Sequence, residues 1–259
     1  MILQDIINII ESVAPLSYQE SWDNSGLQVG DRNAEVNAAL LTVDVTESVV
    51  DEAITLGCDL IVSHHPLLFR GLKQIVGSTP QERCVLRAIK HNIAIYSAHT
   101  SIDSWLHGVS GRMAKKLGVQ DYRILVENKE NVGLGVIGQL AEPISIVDFV
   151  SHVAKVFGIK EGLRYVVGKQ DIVQNIAICG GAGADMVNEA ITQGADVYIS
   201  ADFKYHELQA AFGQITVVDI DHWVSEHFTR EIFEEILSPY IHTRVAKMDK
   251  SPVQYWREN

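Results

Sequence analysis

The sequence predicts an α/β fold: a mostly parallel sheet flanked by helices, with a small inserted α/β subdomain. Three observations predict it. Short β-branched apolar runs alternate with segments of helical periodicity. The runs are continuous in apolar character, as suits strands covered on both faces. A polar stretch, ENKENVG at 127–133, interrupts the alternation midway.

The elements follow in order. MILQDIINIIESVAP reads as an amphipathic helix; it carries acids and no early basic residue, unlike a signal peptide. ALLTVDV (39–45), DLIVSH (59–64) and NIAIYSA (92–98) read as strands. Between them, ESVVDEAITLG and PQERCVLRAIKHN read as helices closed by Gly57 and Asn92. A second set comprises the strands NIAICGG (175–181), ADVYIS (195–200) and ITVVDI (215–220), with ADMVNEAITQG and KYHELQAAFG as the helices between. The two sets are alike in outline, as an old duplication would leave them. After the polar stretch, LGVIGQL, the helical SIVDFVSHVAKVFG and GLRYVVG form a unit of about 45 residues, small for an independent core. The expected organisation is therefore a main domain of residues 1–126 plus 171–259 and an inserted subdomain of residues 127–170. DIDHWVSEHFTREIFEEILSPY reads as one further helix, with Val224, Phe228, Ile232, Phe233, Ile236 and Leu237 as its apolar stripe and Asp219 or Asp221 as its cap.

Bulk properties narrow the function. The 259 residues are 47% apolar, enough for a sizeable core, and 33 acidic residues against 21 basic ones give a formal charge of −12. No Lys/Arg run offers a phosphate-binding surface, which disfavours nucleic acid. No segment approaches the ~18 apolar residues that span a bilayer. Cys58, Cys84 and Cys179 are odd in number and widely spaced, and read as buried reduced thiols of a cytoplasmic protein.

The chemistry lies at strand ends. In IVSHHPLLFR, His64 and His65 close an apolar run and Pro66 stops it. Mid-strand neighbours point to opposite faces, but where the backbone turns both rings can converge. YSAHTSID leaves the next strand with His99 and Asp103. His222 and Glu226, four apart, share one helix face and offer an imidazole and a carboxylate. Sites in open α/β sheets form at the carboxyl ends of strands, and three such ends here carry ligand-type residues. His99 is read as a group that orients a ligand or touches substrate, or equally as one that bonds backbone at a strand end. Asp202 and His206 are read as lining the same cleft, or as a helix cap and a surface histidine. Trp22, Asp23 and Asn24 are read as bounding the cleft, or as an ordinary turn. His91, His107, His152, His227 and His242 are read as surface or structural. CGGAGADM is a glycine-rich turn between strand and helix; it is neither GxGxxG nor a Walker loop, and a tight turn is its default reading over a phosphate subsite.

The motifs WDNSGLQVGD (22–31), VSHHPLLF (62–69), SAHTSID (97–103), GLGVIGQL (133–140), CGGAG (179–183), GADVYISADFKYHE (194–207) and DHWVSE (221–226) together resemble the Nif-three-like family of dinuclear metal proteins, often labelled GTP cyclohydrolase 1 type 2 homologs, in its short form. The resemblance covers nearly the whole chain. It implies two divalent ions per subunit (zinc, iron, manganese, cobalt or nickel), with metal ligands His64, His65, Asp103, His222 and Glu226. It assigns His65 and Asp103 to one ion and His64 and His222 to the other, with Glu226 bridging. It also implies a toroidal homohexamer. Two positions depart from the family: Asp221 and Ala201 stand where glycine is usual. The implied activity is a metal-dependent hydrolase acting on a small molecule, with His99 or Asp202 moving a proton as the catalytic residues. The alternative is a metal carrier, chaperone or regulatory interaction protein without turnover.

Overall fold

The computed structural model of the chain describes residues 1–256. The described residues form two compact units: Met1–Ile102 with Thr229–Lys250, and Asp103–Phe228 with residues 251–256. Elements are numbered along the chain.

The first unit holds β1 (Gly26–Val29), β2 (Ala38–Thr42), β3 (Leu60–Ser63), β4 (Ala94–Ser97) and β11 (His242–Val245), with helices α1 (Leu3–Val13), α2 (Glu47–Leu56), α3 (Pro80–Lys90) and α10 (Thr229–Leu237). The sheet order is β1-β4-β3-β2-β11. The four strands β4, β3, β2 and β11 are parallel, and the edge strand β1 runs antiparallel to β4. Leu40, Ile61 and Ile95 pack under Val49, Val50, Ala53, Cys84 and Ala88 of α2 and α3. The alternate residues Leu41, Val62 and Tyr96 are also fully buried, so both faces are covered. Thr46 and Thr79 cap α2 and α3 through their side chains. Gly57 (φ 66°) and Asn92 (φ 55°) end them in the left-handed conformation, as expected.

The second unit holds α4 (Thr100–Asp103, which begins at the end of the first unit), α5 (Val109–Leu117), β5 (Val119–Lys129), β6 (Val132–Ser145), α6 (Ile146–Val156), β7 (Arg164–Val166), β8 (Ile172–Ala182), α7 (Val187–Thr192), β9 (Val197–Ala201), α8 (Tyr205–Ala211), β10 (Thr216–Asp219) and α9 (His222–Glu226). Its sheet has the order β5-β6-β8-β9-β10-β7. Only the pairings β8–β9 and β9–β10 are parallel.

The α/β architecture is thus as expected, but the sheets are mixed rather than mostly parallel. Among the described residues no separate small subdomain stands at 127–170. The polar stretch is the turn of a long β5–β6 hairpin, with Asn131 at φ 58° and its N–H bonded to the Glu127 carboxylate (2.7 Å). β6 then pairs with β8, matching Val136 with Ile178, while β7 joins the far edge beside β10. A polar run marks a hairpin tip as readily as a linker, because both are solvated. The helix expected after residue 220 is also divided. Phe228 packs in the second unit, 5.5 Å from the Phe157 ring, and Ile232, Phe233 and Leu237 are buried in α10 of the first. One apolar stripe serves two cores, and the helix breaks between α9 and α10.

Two predictions follow from the packing. Buried Asp249 accepts the Val43 N–H (2.7 Å) and faces the Arg230 guanidinium (3.4 Å), fastening the segment after β11 to the end of β2. Asp249→Ala strands that buried amide, and urea unfolding is expected to show a loss of about 1–3 kcal/mol. All three cysteines are free and buried; burial raises each thiol pKa, that of Cys84 to about 11. Iodoacetamide at pH 8 is expected to leave the native protein unlabelled and to alkylate all three thiols once urea unfolds it, read by mass spectrometry.

Candidate metal centre

In the first unit β2, β3 and β4 lie in parallel register, Thr42 beside Ser63 and Ser63 beside Ser97, so their carboxyl ends are level. His64 and His65 continue the β2–β3 ladder, their amides bonding the carbonyls of Thr42 (3.1 Å) and Val43 (2.9 Å). The chain then turns at Pro66. The Ser63 and Ser97 hydroxyls, 2.7 Å apart, both bond the His65 carbonyl (2.9 and 3.3 Å) and hold that turn. The two rings converge, with centroids 5.0 Å apart, and His99 joins them at 5.3 and 5.4 Å. Each of the three offers a ring nitrogen within 4.8 Å of the others.

What holds the Nδ1 atoms decides which nitrogens can serve as ligands. The buried His64 donates from Nδ1 to the Ala98 carbonyl (3.0 Å), His65 to Asp44 (2.8 Å) and His99 to Asp23 (2.8 Å). A carbonyl and a carboxylate only accept, so Nδ1 carries the proton and the lone pair lies on Nε2. Asp23 also accepts the amide (3.0 Å) and hydroxyl (2.6 Å) of Thr100 and the Ser25 hydroxyl (2.9 Å). Burial opposes its ionisation, but the bonds from His99 and Thr100 outweigh it and hold the carboxyl well below the usual range.

The second unit repeats the device. β8, β9 and β10 are parallel, with Ile178 beside Ile199 and Ile199 beside Val218. Gly181, Asp202 and His222 stand at or just past their carboxyl ends. Asp221 caps α9 by accepting the Val224 N–H (3.2 Å), which starts the helix at His222 and places Glu226 one turn on. His222 donates from Nδ1 to Asp202 (2.7 Å), and its Nε2 lies 3.0 Å from buried Glu226. Burial disfavours the charged ring, yet the carboxylates of Glu226 and Asp202 win and hold the His222 pKa up, to about 9. The field that draws a proton there draws any cation, and a metal displaces the proton.

The glycine-rich end of β8 has a steric purpose. A Cβ on Gly181 would sit 2.2 Å from Glu226 Oε1, and its φ is 67°. Its N–H bonds the Ser225 hydroxyl (2.8 Å) and its carbonyl accepts from Ser200 (2.9 Å). Where a tight turn is expected, Gly181 instead lies within β8, at an irregularity in its pairing with β9 between Ile178 and Ala182, and leaves the groove in which the Glu226 carboxylate lies.

Most of the residues picked from sequence fall into these two sets. His64, His65 and His99 come together, so His99 stands among ligand-type nitrogens as well as beside Asp23. His222 and Glu226 come together, and Asp202 is the acceptor that orients His222. Asp103 is the half-buried last residue of α4; its charge, with those of Asp185 and Glu226, adds to burial in raising the Cys179 thiol pKa. His206 is exposed on α8, bonded to Gln209 (3.2 Å). His152 bonds the Leu117 carbonyl, and His227 stacks on Trp223. Sequence reading missed Asp44. Its signal was an acid directly after the apolar run LLTV, level with His65 across the β2–β3 pair.

A donor set of imidazole nitrogens and carboxylate oxygens, each ring oriented through Nδ1, fits divalent first-row metals. With two such clusters on an α/β scaffold, the chain is a dinuclear divalent-metal protein. It belongs to the Duf34/NIF3 (NGG1p interacting factor 3) family, whose model matches residues 1–252. It is 34% identical to a GTP cyclohydrolase 1 type 2 homolog of Clostridium perfringens over 98% of this chain and 100% of the relative. The crystal structure of a Bacillus cereus protein related to NIF3 superposes with a TM-score of 0.88 at 25% identity, over 98% of this chain and 99% of that one. Reduced HcgD from Methanocaldococcus jannaschii gives 0.82 at 26%, over 96% and 98%.

Gly181→Ala is expected to push the Glu226 carboxylate aside. Metal affinity, measured by titration of chelator-stripped protein, should fall about tenfold or more, with the circular dichroism spectrum retained.

Proposed function

We propose that this protein is a two-metal hydrolase of a small molecule, and that His64, His65, Asp103, His222 and Glu226 hold its ions. The observation that carries the reading is the fixed tautomer of four histidines, each bonded through Nδ1 to an oxygen acceptor. That pattern orients metal ligands and raises their basicity. Two bound divalent ions supply Lewis-acid polarisation of an ester, amide or phosphoryl oxygen.

The chain's own residues supply the rest. Asp44, Asp23 and Asp202 keep the rings in one tautomer and orientation. His99, beside its ionised Asp23 partner, is suited to hold and pass on a proton. Asp202 performs the same service at His222. The resemblance and the label of the Clostridium relative both favour a cyclohydrolase-type reaction, opening a ring by addition of water. The same reading carries a cytoplasmic location and assembly as a toroidal homohexamer. The charge of −12 argues against a nucleic-acid partner.

The test begins with chelator-stripped protein. Titration with zinc or manganese is expected to saturate at about two equivalents per chain, the stoichiometry that a two-metal site requires. Loaded protein is then screened against nucleotides, phosphoesters and cyclic amides. Turnover that drops by a hundredfold or so in Glu226→Gln, with the fold intact, supports the hydrolase. Full occupancy without turnover, together with transfer of metal to an apo-protein, instead identifies a carrier.

A further inference from the structure

We infer that Trp22 and Phe69 form the wall of the metal centre that receives a flat ring of the substrate. The inference rests on the two-metal reading and adds the class of molecule: one carrying a planar aromatic or heteroaromatic ring next to the group that meets the ions.

Single exposed apolar side chains are ordinary and need no explanation. These two are not single. Trp22 is 58% exposed and Phe69 45% exposed, and they come from separate loops to stand beside the same ligand-type ring. The Trp22 and Phe69 centroids lie 6.1 and 6.3 Å from the His99 centroid, both edge-on at 73° and 81°. They lie 6.0 Å from each other at 58°. Two rings inclined in this way form a wedge, and a flat ring entering it can lie on one face while its edge meets the other. Stacking of this kind tolerates any base or arene, because each has a π-face.

The loops that carry the rings are fastened together. The Asn24 amide donates to the Leu68 carbonyl (2.6 Å), and the Leu68 N–H donates to the Gln28 side chain (3.1 Å). Gln28 in turn donates to the Asn24 carbonyl (2.7 Å). Trp22 immediately precedes Asp23, whose buried carboxylate is anchored to His99, Thr100 and Ser25. Phe69 immediately follows Leu68. The wedge is therefore set before any ligand arrives, which removes the cost of ordering it on binding. Large aromatic rings held rigidly in water beside a cluster of metal ligands are positioned to contact substrate; core packing would have buried them.

Probes with a common metal-binding head separate the wall from the metal. Zinc-loaded protein is titrated calorimetrically with acetohydroxamate, benzohydroxamate and cyclohexanecarbohydroxamate. The three share the chelating group and differ only in methyl, flat ring and puckered ring. Benzohydroxamate is expected to bind about tenfold more tightly than acetohydroxamate, the size of one stacking contact. Cyclohexanecarbohydroxamate should fall well short of benzohydroxamate. Trp22→Ala and Phe69→Ala should each remove most of the benzohydroxamate advantage, measured against acetohydroxamate as the internal reference, and Trp22→Phe should keep part of it. Equal affinities for the methyl and phenyl probes, a preference that persists in both alanine variants, or a puckered ring that binds as well as the flat one would overturn the inference while leaving the metal reading in place. Failure of acetohydroxamate itself to bind would remove the metal reading, and the wall with it.

Discussion

Four oxygen acceptors, each holding the Nδ1 of one histidine, are the constraint on which the rest of the molecule depends. An imidazole free to rotate or to change tautomer is a weak ligand. Here the Ala98 carbonyl and the carboxylates of Asp44, Asp23 and Asp202 leave each ring a single arrangement. Polar groups in a buried place must in turn be satisfied, and the cost of failing is severe. That need explains the buried hydroxyls near these groups: Thr42, Ser63 and Ser97 in the first unit and Ser200 in the second bond the backbone or one another where the ladders stop supplying partners, and Ser225 of α9 bonds the His222 carbonyl.

The parallel sheet segment is what makes such an arrangement available. Level carboxyl ends put three successive chain exits side by side, and each unit uses that once. The first takes its groups from loops, so the convergence of His64 and His65 has to be enforced by Pro66 and the serine bonds at the turn. The second takes them from the first turn of α9, where the helix itself sets the spacing of His222 and Glu226. A helix start brings bulk close to the neighbouring strand, and Gly181 is the accommodation: only a residue without Cβ leaves room for the carboxylate.

The legible part of the site was the part written in residue type and local spacing. Two histidines ahead of a proline, and a histidine four before a glutamate, announce themselves without any knowledge of the fold. Asp44 did not, because it sits inside ALLTVDV and its partnership with His65 depends on strand register. CGGAGADM reads as a tight turn, but Gly181 lies within β8, and its steric role depends on a side chain 45 positions away. In the fold, helix stops were visible at Gly57 and Asn92 because they are local. The placement of residues 127–170 was not, because nothing in a polar run distinguishes a hairpin tip from a linker, and pairing of β6 with β8 is a long-range choice. The break between α9 and α10 was hidden for a related reason: a continuous apolar stripe says that residues are buried, not that they share one core.

The two departures from the family's glycines are explained by where the backbone turns. Ala201 is the buried last residue of β9 and does not carry a positive φ; the left-handed conformation falls on the next residue, Asp202, at φ 61°. Aspartate tolerates that region better than most side chains, because its short carboxylate finds a local or nearby donor. Here the donor is His222. The left-handed backbone at Asp202 aims its carboxylate at His222, and residue 201 needs no positive φ. Asp221 has φ −60° and needs no glycine either. Its carboxylate is spent on the Val224 amide and on the Ser251 hydroxyl (3.3 Å), not on His222. It therefore stiffens the start of α9 and ties down the tail while leaving the Asp202–His222 pair as it would be with glycine at 221. Asp221 adjoins His222 and Ala201 adjoins Asp202 in sequence, and neither takes the place of a partner in the Asp202–His222 bond.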